Sequence, residues 1–286
     1  MPQYTPPLRD MQFVLHEVLN VTDTLKHLPA HRDVDLDTIN AVLEEGGKFA
    51  AEVIFPVNQS GDREGCTLDL ATHQVRTPTG FKAAYAKYVE GGWPALAADP
   101  AYGGQGLPIV VNHCFYEMLN SANQAWTMYP GLSHAAYECI KAHGTPEQVA
   151  TFLPKLTSGE WTGTMCLTEP HCGTDLGLLR TRAEPQADGR YKLYGQKIFI
   201  SAGDHDMAEN IVHLVLARLP DAPAGSKGIS LFAVSKFHLQ ADGRLGARNP
   251  IICSALEHKM GINGSATCQI MLDGATGTLI RQPLGP

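Results

Sequence analysis

The chain is organised around one stretch near its middle, Met165-Cys166-Leu167-Thr168-Glu169-Pro170-His171-Cys172-Gly173-Thr174-Asp175. The residues that lead into it, such as Trp161, Thr162 and Thr164, suit a pleated surface and predict a strand. Pro170 and Gly173 then break the strand into a loop. Its hydroxyls, carboxylates and backbone amides could line a flat cofactor, although a strand followed by a turn is also a common structural element.

Apolar residues before this stretch recur at helical spacing. They predict helices over residues 8–28, 36–54, 80–90, 109–123 and 131–143, and a further helix beginning with the capping pattern Thr145-Pro146-Glu147-Gln148. Residues 58–78 and the Gly/Pro-rich segment 92–108 predict loops.

After this stretch the spacing of apolar residues changes to two, which is typical of strands. The pattern predicts a hairpin over residues 183–194 and strands at 197–201, 210–217, 228–235 and 268–272. The sequence therefore predicts an α+β fold with a helical domain first and a β domain second. The change should fall between Gly159 and Thr164.

Composition indicates a soluble globular protein. The 286 residues are 44% hydrophobic and 18% charged, with a net charge of −7 and no run of basic residues, so we expect no nucleic-acid partner. The first seven residues lack a signal pattern, and the most apolar run, 211–219, is too short to span a bilayer. We therefore expect a cytoplasmic protein without a membrane span.

The cysteine pattern favours reduced thiols. There are seven, an odd number without CxxC pairs: Cys66, Cys114, Cys139, Cys166, Cys172, Cys253 and Cys268. His171-Cys172 beside Cys166 could suggest a metal site, but no second pair lies at ligand spacing. We predict no metal.

Three blocks, in the same order, resemble the acyl-CoA dehydrogenase family. The central stretch is similar to the family's Thr-Glu-Pro, Gly-Ser/Thr-Asp loop, which lies against FAD. Residues 195–203 resemble its second flavin strand, and residues 257–268 resemble the block that closes its β domain. The opening of the chain resembles the N-terminal extension of the subgroup with long-chain and methylmercaptopropionyl-CoA enzymes.

This resemblance implies a fold, a domain division and a reaction. The fold is an N-terminal helical domain followed by an antiparallel, barrel-like middle domain; the ranges are 1–35 for the extension, 36–160, 161–280 and a tail at 281–286. The reaction is FAD-dependent α,β-dehydrogenation of an acyl-CoA, with an electron-transfer flavoprotein as the expected electron acceptor. The family forms homo-oligomers, which is doubtful for this chain.

The resemblance also assigns residues to the cofactor. FAD would contact the first strand and loop, the downstream strand, and the small residues between them: Met165, Cys166, Leu167, Thr168, Gly173, Thr174, Phe199, Ile200 and Ser201. The Thr168 hydroxyl would lie near flavin N5, Phe199 would form an aromatic wall, and Thr174 could also meet the acyl-CoA. Glu169 is expected to anchor the loop and not to act as a base.

The chain departs from the family pattern at three positions. Cys172 and Leu178 stand where small residues are usual, which puts the loop's detail in doubt, and Phe199 replaces a tryptophan. The resemblance extends over the family's N-terminal and middle domains, and we expect the C-terminal helical bundle, which carries the family's catalytic glutamate, to be absent, so we assign no catalytic residue.

Two hypotheses follow. The chain is an acyl-CoA dehydrogenase in truncated form, or it is a catalytically silent fragment that binds cofactor weakly or pairs with a separately encoded half. An oxidase or flavin monooxygenase of the same fold is a less favoured alternative.

Overall fold

The computed structural model describes residues 3–240 and 242–280. The N-terminal segment consists of helix α1 (Leu8–Gln12), which continues as a π-helical stretch (Phe13–Val18), and helix α2 (Val21–Lys26). The prediction of a single helix over residues 8–28 is therefore wrong, because this segment forms two helical parts. Asn20 lies between the two parts in the left-handed conformation, with φ of +46°. Asparagine adopts this conformation more readily than most residues, so it interrupts the helix.

Helix α3 (Leu36–Phe49) continues as a π-helical stretch (Ala50–Ile54), and together they cover the helix predicted over residues 36–54. At the start of α3 the Asp35 side chain accepts a hydrogen bond from the Thr38 amide. Residues 58–78 are not a plain loop. They form helix α4 (Asn58–Glu64) and a hairpin of strands β1 (Thr67–Asp69) and β2 (Gln74–Arg76). Helix α4 depends on a tertiary contact, because Gly61 packs directly on the ring of Phe81.

The rest of the helical domain comprises α5 (Phe81–Glu90), α6 (Ile109–His143) and α7 (Pro146–Ser158). Helix α6 is broken at Asn123, whose φ of −161° is non-helical, so the predicted end of the first helix at residue 123 is confirmed, whereas the second helix follows directly and not from residue 131. The buried Asn123 side chain accepts a hydrogen bond from the Trp126 amide and so carries the chain across the kink. The capping box that we predicted at Thr145 and Gln148 is present at the start of α7.

In the part of the chain that the structure describes, nine further strands follow α7: β3 (Trp161–Cys166), β4 (Arg182–Pro185), β5 (Tyr191–Ser201), β6 (Asn210–Arg218), β7 (Ile229–Ser235), β8 (Phe237–Leu239), β9 (Leu245–Arg248), β10 (Ile251–Leu256) and β11 (Thr267–Leu279). The sheet closes on itself. Going around it, each strand is hydrogen-bonded to the next in the order β11, β5, β4, β6, β7, and β7 also pairs with β11. The α+β class with a barrel-like second domain is confirmed. Two pairings, β3 with β6 and β4 with β6, are parallel and not antiparallel.

Strand β3 connects the two halves of the molecule. One side of it pairs with β6, and it also packs against α6. Gly163 makes this packing close, since a Cβ at this position would lie 2.4 Å from the Cβ of Ala136. The Gly163 amide also donates to Ser133 Oγ at 3.1 Å. The strand that leads into the central loop is thus fixed from both sides.

None of the helices within residues 3–240 and 242–280 has the length and apolar character needed to cross a membrane.

Two buried histidines of the β domain should make folding sensitive to acid. Burial lowers the pKa of His205 to about 4 and that of His213 to about 3. His205 Nδ1 accepts from the Met207 amide, so its proton lies on Nε2, which donates to Thr162 Oγ1 at 2.9 Å. Protonation of Nδ1 would break the first of these bonds.

The sign of the effect follows from the depressed pKa values. Below about pH 6.5 the unfolded chain binds more protons at these histidines than the folded chain, so stability falls as the pH falls towards 4. At pH 5 we expect a loss of about 2 kcal/mol per histidine relative to neutral pH. Urea unfolding measured between pH 7 and pH 4 tests this expected loss of stability. Replacing His205→Asn should flatten the slope, and an unchanged slope would contradict the assignment to His205.

Candidate functional site

The loop after β3 is held from beneath by the buried carboxylate of Glu169, which is 3% exposed. Its Oε1 accepts from the Thr181 amide at 2.9 Å, from the Thr181 hydroxyl at 2.5 Å and from Lys197 Nζ at 2.9 Å. Its Oε2 accepts from the Arg180 amide at 2.8 Å. The carboxylate therefore ties both ends of the loop to strand β5.

Glu169 and Lys197 form an ion pair away from water. Burial alone would raise the pKa of the Glu169 carboxyl, but the hydrogen bonds from Thr181, Arg180 and Lys197 outweigh it and lower that pKa. Burial lowers the pKa of Lys197, and the charge of Glu169 opposes this shift. Because the carboxylate is charged and fully hydrogen-bonded, it is poorly suited to accept a substrate proton, and the geometry agrees with a loop anchor.

Below the loop, the end of β3 lies beside the end of β5. Thr164 Oγ1 donates to the Ser201 carbonyl at 2.7 Å, and the Ile198 amide donates to the Thr168 carbonyl at 2.9 Å. These two bonds place residues 164–168 against residues 198–201. The structure thus brings together the two segments to which the sequence assigned a cofactor.

The side chains of these segments differ in direction. Met165 is 38% exposed and Phe199 is 58% exposed, whereas Cys166 and Ile200 are buried. Cys166 Sγ lies 3.9 Å from His213 Nδ1 in the interior. Cys166 and Ile200 could therefore offer a cofactor only their backbone, while Met165 and Phe199 can offer apolar side chains.

Phe199 owes its exposure to a β-bulge. Lys197 pairs with Ile270 and Ile200 with Cys268, so two residues of β5 lie opposite Gln269 alone. Phe199 has a φ of +57°, which L-amino acids other than glycine, asparagine and aspartate rarely adopt. Non-glycine residues in such strained conformations cluster at functional sites.

This strain leads to a prediction on stability. In most strands glycine is worse than alanine, but at this position Phe199→Gly should be more stable than Phe199→Ala by about 1 kcal/mol, because only glycine adopts positive φ without cost. Both variants lack the ring, so the comparison isolates the backbone. Equilibrium urea unfolding measures the difference, and an alanine variant as stable as the glycine variant would rule out strain at this residue.

The exposed side of the loop carries hydrogen-bond donors. Within the described ranges, neither the Thr168 amide nor its hydroxyl has a partner. Gly173 lies against the Thr168 methyl group, since a Cβ there would meet Thr168 Cγ2 at 3.2 Å. Thr174 is exposed and Ser201 is half-buried. Thr168, Thr174 and Ser201 could thus contact a bound molecule.

The departures Cys172 and Leu178 are accommodated in different ways. Cys172 is buried, and its backbone exchanges two hydrogen bonds with Glu169, of 2.8 and 3.1 Å, which close the turn at Pro170-His171. Leu178 is 56% exposed and lies at the surface.

A metal reading of this loop is unfavourable. Ligand atoms of Glu169, His171 and Cys172 lie within 4.8 Å of one another, the single such group among the described residues. Cys166 is not part of it. The Glu169 carboxylate is already bound to the ammonium of Lys197, whose positive charge would repel a cation, and His171 Nε2 lies 3.0 Å from the Leu178 carbonyl.

Sequence reasoning assigned no role to Lys197 or Thr181. Both lie beneath the loop and complete the Glu169 network. A signal for Lys197 was present, since a lysine at an inward-facing position of a strand requires a buried counter-charge. The position of its partner could not be read from the sequence pattern.

The two-domain arrangement is the fold of acyl-CoA dehydrogenases. A solved structure described as an acyl-CoA dehydrogenase complexed with FAD, from Bacillus anthracis, matches 88% of this chain and 38% of its own with a TM-score of 0.67. Its sequence identity of 22% establishes likeness of fold only.

Sequence similarity establishes the family. Residues 37–160 match the N-terminal domain of the acyl-CoA dehydrogenases, and residues 164–275 match their middle domain. This chain belongs to the acyl-CoA dehydrogenase family and carries these two domains. The division predicted at residues 35, 160 and 280 stays a prediction, and its tail at 281–286 lies outside the described residues.

Two curated relatives show how much of a family member is present. The chain is 43% identical to 3-methylmercaptopropionyl-CoA dehydrogenase of Ruegeria pomeroyi over 277 residues, covering 97% of this chain and 47% of the relative. It is 40% identical over 273 residues to a broad-specificity linear acyl-CoA dehydrogenase of Mycobacterium tuberculosis, covering 94% of this chain and 44% of that one. The chain thus spans less than half the length of either relative.

Proposed function

We propose that this chain forms the flavin-binding part of an FAD-dependent acyl-CoA dehydrogenase. One observation carries the proposal. The segments 164–168 and 198–201 lie side by side with the side chains of Met165 and Phe199 exposed, while a buried ion pair fixes the loop beneath them. Apolar side chains beside hydrogen-bond donors suit an isoalloxazine ring, because this ring has two apolar faces and an edge of hydrogen-bond acceptors.

The residues divide by the group they would contact. Met165 and Phe199 would cover the ring, with Phe199 as the aromatic wall, and the backbone of Cys166, Leu167 and Ile200 would lie along it. Thr168 and Ser201 would donate to its polar edge. Gly173 leaves room for Thr168, and Thr174 would contact the cofactor or the acyl-CoA. When bound, FAD supplies the acceptor for the hydride from the acyl β-carbon.

We assign the acyl α-proton to no carboxylate of this loop. Glu169 is buried against Lys197, so it is not free to take a proton. Asp175 accepts from the Gly177 amide at 3.0 Å, which turns that oxygen towards the loop's own backbone. This arrangement supports binding by the chain and leaves open the second hypothesis, that the isolated polypeptide is catalytically silent. In an active assembly, an electron-transfer flavoprotein is the proposed electron acceptor.

Flavin titration tests the proposal. FAD added to the purified chain should change its fluorescence on binding, and Thr168→Val should weaken binding about tenfold, because an isosteric side chain removes one donor to the ring. Thr151→Val, on the exposed side of α7, is the matched control. If the wild-type chain and Thr168→Val bind equally, or neither binds, the proposed site is wrong.

Anaerobic addition of a saturated acyl-CoA then separates the two hypotheses. Bleaching of bound flavin would mean that the chain contains a functional base. A flavin spectrum that persists would mean that the chain binds cofactor without catalysing dehydrogenation. Reoxidation by oxygen without an electron-transfer flavoprotein would instead favour the oxidase alternative.

A further inference from the structure

We propose that Lys197 is a positioning residue for the flavin site: by holding the Leu167 carbonyl inward, it presents the Thr168 amide outward. This inference rests on the proposed cofactor function and adds a residue that does not itself reach the exposed surface. Lys197 is fully buried, so it acts only through the loop above it.

The contacts of Lys197 define this role. Its Nζ donates to the Leu167 carbonyl at 3.1 Å as well as to Glu169. The next residue along β5, Ile198, donates its amide to the Thr168 carbonyl at 2.9 Å. Two successive residues of β5 therefore hold two successive carbonyls of the loop, one through a side chain and one through the backbone.

Peptide geometry turns these contacts into an orientation. The carbonyl of Leu167 and the amide of Thr168 belong to one planar trans peptide, so they point in opposite directions. With the carbonyl bound to the buried ammonium, the amide points away from the interior. It has no partner among the residues that the structure describes.

Glu169 explains how a lysine can occupy this position. A buried ammonium without a counter-charge would be costly, and the carboxylate 2.9 Å away supplies that charge. A shorter or apolar side chain would leave the Leu167 carbonyl without its donor. The ion pair thus permits burial, while the bond to Leu167 performs the positioning.

Three variants separate these two contributions: Lys197→Met, Glu169→Gln and the double variant. Either single change leaves one charge buried alone and should lower stability strongly. The double variant removes both charges, so its thermal stability should recover in part, although the glutamine nitrogen cannot accept the backbone amide that a carboxylate oxygen accepted. It still lacks the donor to Leu167, so its FAD affinity should stay about tenfold weaker than that of the wild type.

The Thr168 amide provides a readout that needs no cofactor. In 1H–15N spectra of the cofactor-free chain, its resonance should move in the double variant and stay near the wild-type position in Glu169→Gln. A double variant that regains wild-type stability, FAD affinity and Thr168 resonance would overturn the inference, because Lys197 would then only balance charge. If the wild-type chain does not bind FAD, the proposed function fails, and the Thr168 resonance alone decides whether Lys197 orients this peptide.

Discussion

Asp204→Asn should destabilise the chain by about 3–5 kcal/mol, because it removes the carboxylate from a buried cluster with two cations. Asp204 is 2% exposed, and its oxygens accept from Lys236 Nζ at 2.5 Å and from Arg248 at 2.7 Å. Burial alone would raise the pKa of Asp204, but Lys236 and Arg248 outweigh it and lower that pKa, so the side chain is charged in the folded protein. An asparagine would leave both cations without their counter-charge.

The loss should be measured as a lower midpoint of thermal unfolding, by roughly 10 °C. Asp188→Asn is the matched control, since Asp188 makes a comparable contact with Arg190 but is exposed at a hairpin turn. Screening by solvent makes such surface pairs contribute little. Equal midpoints for the two variants would show that the buried cluster is not needed for stability.

Asp204 also matters for the proposed site. It follows directly on the segment Ser201-Ala202-Gly203, and Lys236 donates a further bond to the His205 carbonyl at 3.2 Å. The cluster therefore fixes the chain where it leaves the end of β5. Loss of the cluster should weaken FAD binding together with stability.

Gly163→Ala should destabilise the chain by about 2–3 kcal/mol, the upper part of the usual range of about 1–3 kcal/mol for adding a group to a closely packed interior. The new Cβ would lie 2.4 Å from Ala136 Cβ, so β3 and α6 would have to separate. Gly163→Val should cost more, although valine is normally favoured in strands. Urea unfolding measures both changes.

Two controls make the result specific to the helix–strand contact. Gly261→Ala introduces the same methyl group where no atom lies within 4 Å, and it should leave stability unchanged or slightly higher. Combining Gly163→Ala with Ala136→Gly exchanges the two residues and should restore much of the loss. If Gly163→Ala behaves like Gly261→Ala, β3 and α6 are not in close contact.

Together, these contacts explain how a loop can be held rigidly at the edge of a barrel. Strand β3 is fixed against α6 by Gly163, and the loop that follows is fixed against β5 by Glu169. The exposed residues of the proposed flavin site need no tight packing of their own, because the backbone that carries them is fixed on its inner side. Preorganisation of this kind reduces the cost of ordering the site on binding.

The sequence by itself determined that a helical half precedes a strand-rich half, the capping box of α7, and the loop after β3, because these depend on local periodicity and on proline and glycine. The three family blocks also determined which segments should meet a cofactor, and the structure brings 164–168 and 198–201 together.

Only the tertiary structure decided the rest. The break at Asn20 depends on a single residue in the left-handed conformation, and the second half of α6 follows directly after the kink at Asn123. Glu169 and Lys197 lie 28 residues apart, and their pairing exists only because the barrel brings β5 beneath the loop. The bulge at Phe199 arises from the register of β5 against β11, and a local sequence pattern does not predict this register. Contacts between distant segments set these features, and local spacing carries no information about them.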